Sequence, residues 1–218
     1  DFGDDIGSLE LMKTYIKLFA LLSCLITSLQ SFAYDFTAVN ADGVTMYYNI
    51  LSDEERTCEL TYKSNSTYKC KNLNIPATVD YFGITFTVTA IGDQAALGSA
   101  STYETVTIPS SVTKIGTQAF ASNSKYFKEI SIPNSVTFIG DGAFYRCPGL
   151  HSVIIPESVA SISKNMFAYC EALKSVTLGN SVTSIGEAAF EYCSALTSIS
   201  LPSSVTSIGK AAFWGCSA

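Results

Sequence analysis

Residues 173–195 read LKSVTLGNSVTSIGEAAFEYCSA, and the chain nearly repeats this text 23 residues away in both directions. Downstream, residues 196–218 read LTSISLPSSVTSIGKAAFWGCSA. Upstream, 150–172 read LHSVIIPESVASISKNMFAYCEA and 127–149 read FKEISIPNSVTFIGDGAFYRCPG. A looser copy, one residue longer, begins at Tyr103. A fixed period in the twenties predicts a stacked-repeat solenoid, because one such unit cannot bury its apolar face alone and must lie against the next.

Aligning the copies exposes columns. Val106, Ile130, Val153, Val176 and Ile199 stand two residues before Ile108, Ile132, Ile155, Leu178 and Leu201, which is the spacing of one face of a strand. Pro109, Pro133, Pro156 and Pro202 follow, with Gly179 in the fourth copy. Proline cannot donate to a ladder and ends the strand. One strand per coil, always in the same direction, predicts a parallel sheet. A second apolar pair, such as Val182 and Ile185, predicts a second short strand. Gly116, Gly140, Gly186 and Gly209, with Ser163 in the third copy, then release the backbone into a turn. Each copy closes on Ala-Phe-x-x-Cys, whose spacing is read as a short helical turn that brings alanine and phenylalanine against cysteine. Phe120, Phe144, Phe167, Phe190 and Phe213 are expected to stack as a spine. Ser111, Ser135, Ser158, Ser181 and Ser204 always precede the valine, either as bonds to a neighbouring coil's backbone or as exposed turn residues.

The combined pattern, Cys-x-x-Leu-x-x-Val-x-Ile-Pro-x-Ser-Val-x-x-Ile-Gly-x-x-Ala-Phe, resembles the BspA-type leucine-rich repeat family of surface and secreted proteins. The resemblance covers 103–218 strongly and 71–101 more loosely. It implies a bacterial surface or secreted binding protein that contacts host proteins or matrix. Local departures are Asn123 for cysteine, Gly179 for proline and Met166 for alanine.

The segment ahead of the repeats differs. In residues 34–70 the run DFTAVNADGVTMYYNIL reads as a hairpin turning at Asp42-Gly43, and TCELTY as a further strand, together a β-rich cap over the first coil. Residues 71–102 read as a first repeat split by an inserted hairpin that turns near Phe82-Gly83, with Ala96-Leu97 standing where Ala-Phe is expected. Cys58 and Cys70 lie outside the repeat register and are either a disulfide pair or two buried thiols. Asn65-Ser66-Thr67 is a glycosylation sequon, meaningful only in a eukaryotic secretory pathway.

Residues 12–33, MKTYIKLFALLSCLITSLQSFA, form an export signal: Lys13 and Lys17, then twelve mostly apolar residues, then Ser31-Phe32-Ala33 before an expected cut after Ala33. Twelve residues fall short of roughly 30 Å of hydrocarbon. Leu21-Leu22-Ser23-Cys24 also resembles a bacterial lipobox, with lipidation of Cys24 as the alternative. Residues 1–11 precede the plausible initiator Met12 and are read as an extraneous extension.

Composition narrows the function. With 47% apolar and 15% charged residues the chain is not a disordered one, and its net charge of −6 supplies no basic stripe for nucleic acid. Cys147, Cys170, Cys193 and Cys216 come one per coil, 23 apart, in a line and not in the close pairs that converge on zinc. His151, the only histidine, has no nucleophile in an arrangement suited to catalysis. Neither an enzymatic site nor a cofactor is expected. What remains is the outward strand face, where Lys128, Glu129, His151, Ile154, Lys174 and Thr177 are the candidate ligand-binding residues.

These readings predict an exported, monomeric, adhesin-like binding module for a protein ligand such as a host extracellular-matrix or surface protein. Membrane attachment is expected only through a lipid anchor or a region beyond Ala218, and the five coils of 103–218 are read as part of a longer array. The alternative is a structural spacer carrying a downstream anchoring or catalytic domain.

Overall fold

The structure is a computed structural model that describes residues 34–62, 68–98 and 101–218. The expected export signal, Cys24 and the sequon lie outside the described residues.

The first strands build an antiparallel cap. β1 (Phe36–Val39) and β2 (Thr45–Ser52) pair around the Asp42-Gly43 turn. Asn40 Oδ1 accepts the N–H groups of both Asp42 and Val44 there, and Gly43 takes a φ of 76°. β3 (Thr57–Thr61) continues the antiparallel order against β2. β4 (Asn72–Asn74) opens the first repeat. The inserted hairpin is β5 (Thr78–Tyr81) and β6 (Ile84–Ile91), whose two turn residues, Phe82 and Gly83, both have positive φ, as a two-residue type I′ turn requires. β6 pairs in parallel with β3 on one side and with the repeats on the other, so the insertion joins the cap to the stack.

Each repeat then adds strands in parallel. The first line is β7 (Thr105–Thr107), β9 (Glu129–Ser131), β11 (Ser152–Ile154) and β13 (Ser175–Thr177). The second line is β8 (Lys114–Ile115), β10 (Phe138–Ile139), β12 (Ser161–Ile162), β14 (Ser184–Ile185) and β15 (Ser207–Ile208). Partners share the same repeat position, as in Val153 opposite Val176 and Ile162 opposite Ile185.

The expected single parallel sheet is instead a set of short ladders. Both lines break between the second and third full copies: β4-β7-β9 is separate from β11-β13, and the sheet that ends at β10 is separate from β12-β14-β15. On the second line the cause is Ser163. A Cβ placed on the equivalent Gly140, Gly186 or Gly209 would sit 2.5–2.7 Å from backbone nitrogen of the preceding coil. Ser163 carries such a Cβ and excludes that approach. Residues 197–200 of the fifth full copy form no strand. Their inward side chains Ile199 and Leu201 remain only partly covered, so packing fixes this segment less than its counterparts.

The expected helical turn is also replaced. Over Gly116–Asn123 and its repeats, such as Gly140–Cys147, the described residues form successive β-turns. Ala119 N–H donates to Gly116 O and Ala121 N–H to Gln118 O, while the intervening Gln118, Phe120 and Ser122 N–H groups donate to Asp141, Ala143 and Tyr145 of the next coil. An α-helix would use all of these donors internally. Alternation instead gives every second one to the neighbouring coil. The geometry needs positive φ at two residues per coil, such as Gln118 and Ser122 or Asn165 and Tyr169.

The core follows the columns. Phe120, Phe144, Phe167 and Phe190 are fully buried, and successive rings from Phe120 to Phe213 lie 5.3–5.7 Å apart at angles of 3–12°. Stacking of this kind adds about 0.5–1.5 kcal/mol per pair beyond burial. The spine ends earlier than the alanine pattern suggested: Ala96 N–H donates to Ala119 O as Phe120 N–H does to Ala143 O. Ala95-Ala96, not Ala96-Leu97, therefore occupies the Ala-Phe position. Tyr103, edge-on to Phe127 at 5.5 Å, fills nearby space and donates its hydroxyl to Ala96 O.

Polar columns lock the coils together. Ser111, Ser135, Ser158 and Ser204 donate to a backbone carbonyl of the preceding coil, while Ser181 is exposed. The thiols do the same: Cys147 to Phe120 O, Cys170 to Phe144 O and Cys193 to Phe167 O, all at 3.1–3.2 Å. Asn123, in the cysteine column, reproduces that bond with Nδ2 to Ala96 O and also meets Tyr103 Oη and Ser101 Oγ.

Candidate functional site

The first strand line sets the geometry of the exposed face. Residues two apart on one strand share a face, so the buried Val106, Ile130, Val153 and Val176 leave their flanking positions pointing outward. Glu129 and Ser131 lie opposite Thr105 and Thr107, and Ser152 and Ile154 opposite Ser175 and Thr177. One position earlier, Lys128 N–H donates to Glu104 O, His151 N–H to Lys128 O and Lys174 N–H to His151 O. Lys128, His151 and Lys174 thus stand in file, at strand-like spacings of about 4.8 Å.

All six candidate residues, Lys128, Glu129, His151, Ile154, Lys174 and Thr177, are exposed. Ile154 is 67% accessible, on a face otherwise made of hydroxyl and charged groups. His151 Nδ1 lies 2.6 Å from Gly149 O, which makes Nδ1 the protonated nitrogen of the neutral ring and leaves Nε2 directed elsewhere. The chemistry on offer is two lysines flanking a histidine, an acid at Glu129 and one apolar knob.

Cys58 and Cys70 are free thiols in the structure. Cys58 is buried in the cap, and burial pushes its pKa up to about 12. Cys70 is half-buried and lines a cavity of about 560 Å³ with Asp42, Tyr47 and Tyr68. Burial likewise raises the thiols of Cys170 and Cys193. Among the described residues no group of three His, Cys, Asp or Glu side chains is arranged to hold a metal, and no helix is long and apolar enough to cross a membrane.

A second surface went unread in the sequence. The residues between phenylalanine and cysteine, Tyr145, Tyr169, Tyr192 and Trp214, put an aromatic side chain in each of four successive coils. A helical reading scatters these positions. The observed turns bring Tyr145 and Tyr169 to one groove with Gln118, Asp141, Asn165 and Glu191. The signal was the aromatic recurrence at positions that the core pattern did not need.

Comparison with known proteins follows the same lines. The family model described as BspA type leucine rich repeat region, in six copies, matches residues 48–120 and 89–218. A leucine rich cell surface protein from Faecalibacterium prausnitzii A2-165 is 30% identical with a TM-score of 0.59, over 84% of this chain and 52% of that one. A leucine-rich repeat protein from Bacteroides capillosus is 28% identical with a TM-score of 0.52, over 66% of this chain and 99% of that one. The pneumococcal vaccine antigen PcpA, 21% identical with a TM-score of 0.62 over 84% of this chain and 48% of that one, shares the fold. The chain therefore spans about half the length of the Faecalibacterium protein. No curated protein matches the sequence. The repeat columns, the parallel pairing in register and the family match together establish that this chain belongs to the BspA-type leucine-rich repeat family.

Proposed function

We propose that this protein is an exported, non-catalytic binding module of the cell surface or secreted space, whose coils stack as a solenoid and present the first strand line to a protein ligand. The observation that carries the reading is Ile154, 67% accessible beside the file of Lys128, His151 and Lys174. An isolated exposed isoleucine needs no explanation, but one set within a regular charged and hydroxylated face fits a contact anchor with a polar rim. The partner surface would be acidic with an apolar recess, and host extracellular-matrix proteins are the class to try first. The export signal of residues 12–33 and the surface location named for the Faecalibacterium relative support the location.

The test is capture of immobilised matrix proteins by the purified protein, followed by Lys128→Glu with Lys174→Glu, and separately Ile154→Asp. Binding that falls at least tenfold in each variant supports the reading. Binding that is indifferent to all three changes, or found only when additional downstream sequence is present, sends the function to a spacer role.

A further inference from the structure

The turn edge carries a groove of about 450 Å³ shared by four successive coils and lined by Gln118, Asp141, Tyr145, Asn165, Tyr169 and Glu191, together with Thr117 and Gly142. That volume falls in the range of small-ligand sites. We infer that this groove binds a linear, uncharged oligosaccharide.

Three observations select that class. First, the groove lining itself carries two carboxylates and no lysine or arginine, so an anionic ligand meets like charge there. Second, the obvious cation seat is taken. The Arg146 guanidinium lies 5.2 Å from the Tyr145 ring centre and 5.4 Å from that of Tyr169, within cation–π range of both. Third, the polar groups that remain have capacity to spare. Neither the Asn165 carboxamide nor the Glu191 carboxylate has a hydrogen-bond partner among the described residues. Gln118 accepts from Gln94 through Oε1 and keeps its amide hydrogens, and Asp141 uses Oδ1 for Lys164 N–H and keeps Oδ2. Carboxylates and carboxamides offer paired acceptors and donors that match adjacent hydroxyls on a sugar ring.

The rings supply the apolar half. Tyr169 stands edge-on to Tyr145 at 5.7 Å and stacks on Tyr192 at 5.1 Å, so a file of phenol rings continues from the groove along the turn edge. Aromatic groups with a polar tip suit the mixed C–H and hydroxyl surface of a pyranose. Because the groove draws its lining from four successive coils, the matching ligand is a chain of units laid across them and not a single sugar.

The experiment is calorimetric titration of the full chain with cellotriose, maltotriose, mannotriose and chitotriose, with trigalacturonate and trilysine as charged counterparts. At least one neutral trisaccharide binds, and Glu191→Gln and Tyr169→Ala each lower its affinity at least tenfold. Asn165→Gly also removes a ligand group while suiting the φ of 54° at that position, so loss there does not reflect a strained backbone. Thermal melting of each variant confirms that it folds. Lys128→Glu leaves sugar binding unchanged, which separates this site from the strand face. The inference is overturned if no neutral trisaccharide binds at millimolar concentration, if trilysine alone binds, or if the folded variants bind as the parent does.

Discussion

Ser163 Oγ donates to Ile139 O at 2.5 Å, the bond that a glycine N–H makes in the flanking coils, as Gly140 does to Ile115 O and Gly186 to Ile162 O. A hydroxyl thus stands in for a backbone donor that the side chain's own bulk has pushed away. Ser163→Ala keeps the bulk and removes the donor, leaving the carbonyl of the buried Ile139 unpaired, at a cost of about 1–3 kcal/mol. Ser163→Gly restores the family geometry and is expected near neutral or stabilising. Urea denaturation of the two variants decides it. Equal effects would show that the hydroxyl bond is not what holds this joint.

The phenylalanine spine carries a gradient. Phe167 is fully buried between Phe144 at 5.3 Å and Phe190 at 5.5 Å, and Phe167→Ala is expected to cost about 3–5 kcal/mol. Phe213 is only partly buried and touches the spine on one side, so Phe213→Ala should cost less than half as much. Thermal unfolding of both variants measures the ratio.

Two nearby turn positions respond oppositely to an exchange between glycine and alanine. A Cβ on Gly209 would lie 2.5 Å from Glu187 N, which is backbone and cannot swing aside, so Gly209→Ala should destabilise by about 1–3 kcal/mol. Two residues on, Ala211 is held at a φ of 56°, where an L side chain is strained by about 1–2 kcal/mol. Ala211→Gly relieves that strain and should raise stability by about 0.5–1 kcal/mol after the added unfolded-state entropy. Melting temperatures that move in the same direction would contradict the assigned turn geometry.

Alkaline conditions should loosen the fold. Burial raises the thiols of Cys170 and Cys193 and puts Cys58 at about 12, whereas an unfolded thiol titrates near about 8.5. Between those limits the unfolded chain binds fewer protons than the folded one, so stability is fully present below about pH 8.5 and declines as pH rises above it. The urea midpoint, measured under reducing conditions, should fall from about pH 9 upward, and Cys193→Ala should flatten that slope. A midpoint unchanged to about pH 11 would mean that the thiols are not buried as described.

The fold was legible where the chain repeats a period-two pattern. Val153 and Ile155, or Val176 and Leu178, announce a strand face by themselves, and the prolines after them announce its end. The turn residues Phe82-Gly83 and Asp42-Gly43 placed both hairpins. The Ala-Phe-x-x-Cys segment misled because i,i+3 and i,i+4 spacings suit a helical turn as well as a string of β-turns. Only the destination of the Phe120 and Phe144 N–H groups, in the next coil, separates the two. Candidate residues of the strand face followed from alternation alone, whereas the groove at Tyr145 and Tyr169 did not, since its lining comes from four copies of the repeat.

By itself the sequence determined the period, the inward columns and the parallel order, because each is a local choice of side chain made again every 23 residues. The tertiary structure decided where the stack is uneven: the ladder break at Ser163, the extra partners of Asn123 and the gathering of Gln118 and Glu191 into one cleft. Those depend on distances between coils, and a distance between coils is fixed only when one coil's backbone meets the next.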